Sequence, residues 1–263
     1  MGGGLRGIEL SSDGVATTHP AWGTLALATT AKRGLTHRTA WAELPWADPT
    51  LEFWDDFAAD GRIEERTAAT DTPTASLAVE MEVPAKGERA VEFVLAWHFP
   101  NRPAWGHGAA GEGPKVGNHY ATRFADAWAV AETAARRWRK LEVATVAFVR
   151  GVVAEAALCN LSTLRSQTCF RTADGRFFGW EGCFDRTGSC HGSCTHVWNY
   201  EHATAHLWPE LARSMRETEF SEYALRPDGL MSFRVALPLA PAQENSVAAA
   251  DGQMGCLVKL HRE

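Results

Sequence analysis

The sequence predicts a two-domain protein in which antiparallel β-structure is followed by α-helices. Three observations indicate this fold class: apolar and polar residues alternate in parts of the first hundred residues, residues 106–118 are rich in glycine, and helical spacing dominates after them. We therefore expect a β domain over residues 1–115 and an α-helical domain over residues 116–263, with an incomplete N-terminus of the β domain as an open alternative.

Short segments with period-two alternation predict the strands of the first domain. These segments are residues 23–30, 77–83 and 91–99. Pro84 and Gly87 predict a hairpin-like connection between the last two segments, and residues 53–57 predict a single helical turn on a loop. In residues 91–99, the alternation places Phe93 and Trp97 on one face. Short strands with polar turns and no alternating helices favour an antiparallel β-sandwich.

Apolar residues at helical spacing predict the elements of the second domain. The first helix has one apolar face, formed by Phe124, Trp128, Ala131, Ala135 and Trp138. Residues 144–164 are apolar around most of a helix and predict a buried one. Thr195 is expected to cap a further helix, and Pro209 to begin the next. Residues 250–263 predict a last helix. One side of that helix carries Met254, Leu257, Val258 and His261, and we expect Tyr200, Leu207, Leu211 and Met215 in the core.

Composition excludes several classes of function. Of the 263 residues, 45% are hydrophobic, and the net charge is −6 without a basic block beyond the short run at 136–140, so we expect no nucleic-acid partner. No stretch approaches the roughly 18 apolar residues that cross a bilayer, and the N-terminus lacks the apolar segment of a secretion signal. We expect a soluble cytoplasmic protein with reduced cysteines and no membrane-spanning segment.

One carboxylate beside an aromatic ring is the first candidate functional group. Glu181 lies between Trp180 and a glycine in the segment GWEGCFDRTGSCHGSC, residues 179–194. Such a carboxylate can act as a nucleophile, a general acid or a general base, according to its burial and the charges around it. A structural role, in a helix cap or an ion pair with Asp185 and Arg186 as local partners, explains the same pattern, and the residues alone favour it.

The same segment also contains a cluster of metal-binding and nucleophilic residue types. The cluster comprises Cys183, Cys190, His191, Cys194 and His196. Thiolate and imidazole ligands suit zinc, but Cys-x2-Cys pairs are absent and buried free cysteines are ordinary small apolar residues. A Cys–His nucleophilic pair is a further alternative, although adjacent positions rarely present a thiol and an imidazole to each other. We therefore predict no metal ion and no cofactor, and metal binding by Cys183, Cys190 and Cys194 stays an open alternative.

The run WEGCFDRTGSCHGSCTHVWNYEHATAHLWPELARSMRETEF, residues 180–220, resembles the start of the catalytic domain in glycoside hydrolase family 116. This is the family of the bile-acid β-glucosidase and the non-lysosomal glucosylceramidase. VLAWHFPNR (94–102) and VGNHYATRFADAWAVA (116–131) resemble the family too, as do DGLMSFRVALPLA and AADGQMGCLVKLHRE. The resemblance covers about residues 90–263.

This resemblance implies a β-sandwich followed by the first part of an (α/α)6 barrel, and hydrolysis of β-glucosides with retention. The family's nucleophile is a Glu followed by Gly, which corresponds to Glu181, and the candidate substrate-binding residues are Trp180, Asp185, Thr195 and His196. In a retaining mechanism a second carboxylate, about 5–5.5 Å away, protonates the leaving oxygen. The implied partner is a β-glucoside or a glycolipid such as glucosylceramide, and no cofactor is needed.

Two departures from the family pattern bear on these expectations. The acid, an Asp located later in the family's barrel, has no counterpart here, and residues 119–263 supply only about four to six of the barrel's roughly twelve helices. We expect the acid to be encoded beyond Glu263 and this chain to be a nearly inert fragment. The better-known branch of the family also has a sugar-binding Asp at position 196, where this chain has His196.

Two other functions explain part of the pattern. One is an inverting glycoside phosphorylase or hydrolase of similar architecture, which the stereochemistry of the product and a requirement for phosphate would identify. The other is a carbohydrate-binding or zinc-stabilised module without catalysis, which stoichiometric zinc at the cysteine cluster would identify.

Overall fold

The computed structural model describes residues 4–67, 73–104, 113–148, 164, 166–183, 188–189, 192–241 and 247–263. The chain forms two compact units. The first contains Met1–Phe99 and Phe124–Glu142, and the second contains Pro100–Arg123 and Val143–Glu263. The division of the sequence into domains at residue 115 stays a prediction. Among the described helices, none has the length and apolarity needed to cross a membrane.

The described part of the first unit contains five strands and two helices. They are β1 (Arg6–Ser11), β2 (Thr24–Thr29), β3 (Leu35–Arg38), α1 (Pro49–Asp60), β4 (Ser76–Val79), β5 (Phe93–His98) and α2 (Ala127–Phe148), whose C-terminal end belongs to the second unit. One antiparallel sheet has the order β1-β2-β5, and β3 pairs antiparallel with β4. The predicted antiparallel strands are therefore confirmed.

The connection between β4 and β5 contains a turn but is not a hairpin. The backbone N–H of Gly87 donates to the carbonyl of Pro84 at 2.9 Å, as a turn at these residues requires. However, β4 pairs with β3 while β5 pairs with β2, so the two strands lie in different sheets. The predicted hairpin is wrong because local turn residues do not determine which strands pair.

Small side chains on one face of the three-stranded sheet allow α2 to pack closely. Ala26 and Ala96 are cross-strand partners, and they form a buried cluster with Ala127 and Ala131 of the helix. The N–H of Ala127 donates to the Thr24 hydroxyl at 2.8 Å, which fixes the first turn of α2 to the sheet. The core of this unit therefore lies between the sheet and the helix.

The opposite face of β5 is apolar and exposed. Phe93, Leu95 and Trp97 share that face, as the alternation predicts, and each is about half exposed or more. In α2, Ala131 of the predicted apolar face is buried while Trp138 is 57% exposed. The fully buried helical residues against the sheet are thus alanines, while Trp128 packs against the same cluster and is only partly buried.

Helix α1 is longer than the single turn that the sequence predicts. The Asp48 side chain accepts a hydrogen bond from the backbone of Thr50, Pro49 occupies the first turn, and Gly61 ends the helix in the left-handed conformation at φ 76°. Hydrogen bonds from Thr50 lower the pKa of the Asp48 carboxyl. The prediction was wrong because it considered aromatic residues 53–57 without the signals on either side.

A buried arginine joins α1 to β3. Arg38 is fully buried, and its guanidinium contacts Glu52 at 2.9 Å and Asp56 at 2.6 Å, both on α1. Its Nε also donates to the carbonyl of Glu64 at 3.3 Å. A buried charge is tolerated only when partners satisfy it in this way. The helix and the strand are therefore held together by one cation with two anionic partners.

We expect Arg38→Met to lower the free energy of unfolding of the first unit by about 3 kcal/mol, because it leaves the Asp56 carboxylate, only 14% exposed, without its cation and Glu52 with Arg66 alone. Urea unfolding followed by tryptophan fluorescence measures this change. Trp41 is a suitable reporter, since it stacks on Phe53 of α1 with ring centroids 4.8 Å apart.

Arg62→Met is the matched control. Arg62 also pairs with a carboxylate, Glu80, at 3.0 Å, but both side chains are more than half exposed. Exposed pairs contribute little, so this variant should lose less than about 1 kcal/mol. Equal losses in the two variants would contradict the assignment of Arg38 as the buried link.

The described part of the second unit contains short strand pairs and helices. They are a 3-10 helix (His119–Thr122), β6 (Cys169–Arg171), β7 (Phe177–Gly179), β8 (Gly182–Cys183), β9 (Gly188–Ser189), β10 (Ser193–Cys194), α3 (Thr195–Trp198), α4 (Ala203–Leu207), α5 (Pro209–Glu219), β11 (Arg234–Val235) and α6 (Ala250–Arg262). Antiparallel pairs join β6 to β7, β8 to β9 and β10 to β11. The sandwich and the (α/α)6 barrel stay predictions, and residues 149–163 of the predicted buried helix lie outside the described residues.

Two helical predictions in this unit need correction. The helix expected after Thr195 is interrupted, because α3 ends at Trp198 and α4 begins only at Ala203. Tyr200 lies in that interruption and is 68% exposed, so its predicted place in the core is wrong, whereas Met215 is buried there.

The last helix forms as predicted, but its large apolar residues do not face the core. Met254, Leu257 and Val258 of α6 are exposed, and the buried residues are Gly252, Cys256 and Lys259.

Candidate active site

The predicted nucleophile, Glu181, lies in a bend between two short strands. Strand β7 ends at Gly179, the Trp180 N–H donates to the carbonyl of Thr168 at 2.8 Å, and β8 begins at Gly182. The Glu181 side chain is exposed. It makes no ion pair with any other described residue, and its suggested local partners, Asp185 and Arg186, lie outside the described part of the chain.

Trp180, predicted to bind substrate, is part of the core in this structure. Only 2% of it is exposed, and its ring packs edge-on against Phe170 and Phe178, with centroid distances of 4.9 and 6.1 Å. Val235 and Leu237 belong to the same cluster. The residue before Glu181 is thus anchored in a rigid aromatic core, while contact between Trp180 and a sugar stays a prediction.

Strand β7 is joined to β10, which leads into the helix that carries two predicted site residues. The Gly179 N–H donates to the buried Ser193 hydroxyl at 3.1 Å. A Cβ at Gly179 would overlap the indole ring of Trp198, so only glycine permits this approach. Burial raises the pKa of the Cys194 thiol, and the Glu181 charge contributes to the same shift. Glu181 therefore lies within electrostatic range of the start of α3.

Thr195 is buried as the first residue of α3. Its N–H and its hydroxyl both donate to the carbonyl of Phe233, at 3.0 and 2.8 Å. The residue at the N-cap position is Cys194, so the predicted capping role of Thr195 is wrong: its hydroxyl is bonded to another segment. Binding of substrate by Thr195 stays a prediction.

His196 is exposed and has an anionic partner. Its Nδ1 lies 2.7 Å from Asp251 Oδ2, in the first turn of α6. The Tyr200 hydroxyl donates to the same oxygen at 3.3 Å. The hydrogen bond from His196 is the largest of the interactions that lower the pKa of Asp251. The fourth predicted substrate-binding residue, Asp185, lies outside the described residues.

Close packing of α6 against α3 brings Asp251 to His196. A Cβ at Gly252 would lie 2.6 Å from Thr195 Oγ1 and 2.7 Å from His196 N, so the two helices touch through backbone at this point. At the other end of α3, Lys259 donates to the carbonyl of Trp198 at 2.8 Å. The position of α3 is therefore fixed at both ends by α6.

A group of buried charges supports this packing. Arg216 on α5 contacts Glu219 at 2.7 Å and Glu263 at 3.7 Å, and Lys259 lies 3.8 Å from Glu201. Burial is the main cause that raises the pKa of Glu219 and lowers that of Lys259. Each cation has carboxylates close to it, which offsets part of the cost of removing the charges from water.

The zinc alternative is not tested by the described residues. Within the described part of the chain, no group of three His, Cys, Asp or Glu side chains could hold a metal ion. Cys190 and His191 lie outside it, and nothing is described of the Cys183 side chain. The three described cysteine thiols, of Cys169, Cys194 and Cys256, are free and buried.

Sequence reasoning missed the neighbours of His196. Asp251 follows the predicted start of the last helix, and Tyr200 was placed in the core. Because more than fifty residues separate His196 from Asp251, no local pattern indicates that they meet. The signal that could have found them is the Asp-Gly pair in α6, since a glycine in a helix interior is unfavourable unless close packing requires it.

Comparison with known proteins places the N-terminal half of the chain in a glycosidase family. The family model described as "beta-glucosidase 2, glycosyl-hydrolase family 116 N-term" matches residues 1–141. None of the curated proteins compared with the chain is similar enough to match. The matched residues end before Glu181, so the comparison bears on the protein's class and not on its predicted catalytic residues.

Residues 1–141 thus correspond to the N-terminal domain of a glycoside hydrolase family. The match covers more than half of the sequence, and the chain belongs to glycoside hydrolase family 116. The predicted family resemblance is confirmed at this level.

The reactivity of Cys256, on the buried face of α6, tests the packing of this helix. Its thiol is 1% exposed, and burial, with the Glu219 carboxylate nearby, raises its pKa to about 12. Because thiolate is the reactive form, about one molecule in ten thousand is ionised there at pH 8. We expect iodoacetamide to label Cys256 at least about a thousandfold more slowly in the folded protein than in guanidinium, measured by peptide mass spectrometry.

Met254→Cys supplies the matched control for this experiment. Met254 lies on the same helix two positions away and is 63% exposed. A cysteine there should react rapidly in the folded protein. Comparable labelling of positions 254 and 256 under native conditions would show that α6 does not pack as described.

Proposed function

We propose that this chain carries the nucleophile of a retaining β-glycosidase, and that Glu181 is that residue. Two findings support the proposal: the chain belongs to a glycosidase family, and Glu181 is an exposed carboxylate next to a tryptophan anchored in the core. The second finding carries the assignment, because a nucleophile must be both accessible and held in one place.

The chemistry proceeds in two displacements. Glu181 Oε attacks the anomeric carbon of the β-glucoside, the bond to the leaving oxygen breaks, and a second carboxylic acid donates its proton to that oxygen. The same second residue then removes a proton from water, which attacks the anomeric carbon and releases Glu181. The two inversions give net retention of configuration.

The substrate of this proposal is a β-linked glucoside or glycolipid, with glucosylceramide as the lipid example. His196 supports this, since its half-exposed ring offers a polar group near the start of α3. Thr195 supports the site by fixing the start of α3, because its N–H and its hydroxyl both donate to the carbonyl of Phe233. The acid is a second carboxylate of the family's Asp type, which we propose lies in the barrel domain.

We expect Glu181→Gln to lower kcat for an aryl β-glucoside by at least about a thousandfold, because an amide cannot form the glycosyl ester. The assay uses the protein as its source organism makes it. Glu217→Gln is the matched control, since Glu217 is also an exposed carboxylate of the second unit. Its activity should stay within twofold of wild type; a Glu181→Gln enzyme within tenfold of wild type would refute the assignment.

Chemical rescue separates a nucleophile from an acid. Azide added to Glu181→Gly should restore turnover and give the α-glycosyl azide, because azide enters from the face that the nucleophile occupied. A β-glycosyl azide would instead identify Glu181 as the acid and base. Activity that requires phosphate and inverts the anomeric carbon would favour a phosphorylase.

A further inference from the structure

Two residues outside the predicted site contact the ring of His196, and a third hydrogen-bonds to one of them. Asp251 contacts Nδ1 at 2.7 Å, and Tyr200 hydrogen-bonds to the same carboxylate oxygen. Phe233 packs against the ring, with centroids 6.3 Å apart and an angle of 29° between the planes. Among the described residues, none hydrogen-bonds to Nε2, and half of the side chain is exposed. Nε2 is thus the ring atom that a ligand can reach.

The Asp251 carboxylate determines which ring nitrogen carries the hydrogen. An ionised carboxylate only accepts hydrogen bonds, so the nitrogen that faces it, Nδ1, must be the donor. In the neutral ring, Nε2 then has a free lone pair. That lone pair accepts a hydrogen bond from a hydroxyl group. Orientation of a histidine by a carboxylate is a general way to fix its tautomer.

Asp251 is well placed to fix the tautomer and the orientation of His196. It lies in the first turn of α6, where the helix dipole favours a negative charge. The next residue, Gly252, packs directly against the backbone of His196. The carboxylate and the imidazole are therefore held together by the contact between two helices, and not by their ion pair alone.

We propose that Asp251 is a positioning residue for sugar recognition, which orients His196 so that Nε2 accepts a hydrogen bond from one hydroxyl group of the glycoside. This inference rests on the proposed function, because it takes a glycoside to be the ligand at Glu181. A sugar fits the site because it offers hydroxyl donors, and a single lone pair selects one of them.

Nitrogen NMR tests the orientation without any assay of turnover. A long-range 1H–15N spectrum at pH 8, with the ring of His196 assigned by its absence in His196→Gln, should show the Nδ1–H tautomer. Asp251→Ala should convert it to the Nε2–H form that an unpaired histidine side chain prefers in water. Asp228→Ala is the matched control, since Asp228 is another exposed carboxylate of this unit and pairs with Arg226 at 3.1 Å. A wild-type Nε2–H tautomer, or one that is unchanged in Asp251→Ala, overturns the inference.

Kinetics test the link to the sugar. Asp251→Ala should raise KM for a β-glucoside about fivefold while kcat stays within about twofold, because the contact is made in the ground state and the transition state alike. In a His196→Ala background, the same change should alter KM by less than about twofold, since its effect acts through His196. If Asp251→Ala acted through a general structural defect, its effect on KM would add to that of His196→Ala. Additive increases in KM would therefore overturn the inference.

Monodeoxy glucosides identify the hydroxyl group. Wild type should discriminate against one of them more than the others, and Asp251→Ala should lose that discrimination. If no β-glucoside is hydrolysed, the proposed function fails. The same variants are then compared by their dissociation constants for methyl β-glucoside, measured from chemical-shift changes, instead of by KM. Failure of the NMR result alone would leave Glu181 as the proposed nucleophile.

Discussion

The contact between α6 and α3 is the constraint on which the candidate site depends. Gly252 allows the helix backbone to meet Thr195 and His196, and the buried ammonium group of Lys259 donates to the carbonyl of Trp198 at the other end of α3. A larger residue at position 252 would push the helices apart. Because α3 follows β10 directly, and β10 is bonded to the strand that leads to Glu181, this contact also sets the surroundings of the carboxylate.

Removing charged groups from water costs free energy. The second unit nevertheless buries several of them at the end of the α6–α3 contact that lies near Trp198. Arg216, Glu219 and Lys259 are almost inaccessible to solvent, and burial alone disfavours the charged forms of Glu219 and Lys259. Such groups rarely increase stability over apolar residues of similar volume, but they permit few alternative arrangements because each charge needs its partner. The first unit shows the same feature at Arg38, where a single cation fixes α1 to β3.

The sequence predicted what depends on local chemistry and missed what depends on distant contacts. Period-two alternation located β2 and β5, and Pro209 located the start of α5, because these signals lie within each segment. Strand pairing was missed, because the turn at Pro84 suggested a hairpin between strands that lie in different sheets. The apolar spacing in the last helix did not indicate that the side with Met254 is exposed. Glu181 could be singled out from its neighbours and from family resemblance, but Asp251 could not, since only the fold brings it to His196.

Covalent trapping tests the central claim, that Glu181 bonds to the sugar during turnover. A 2-deoxy-2-fluoro-β-glucoside with a good leaving group slows hydrolysis of the glycosyl ester, so the intermediate accumulates. Peptide mass spectrometry of the inactivated enzyme should then show the fluorosugar mass on Glu181 and on no other residue. A tag on a different carboxylate, or turnover without any tag, would contradict the account.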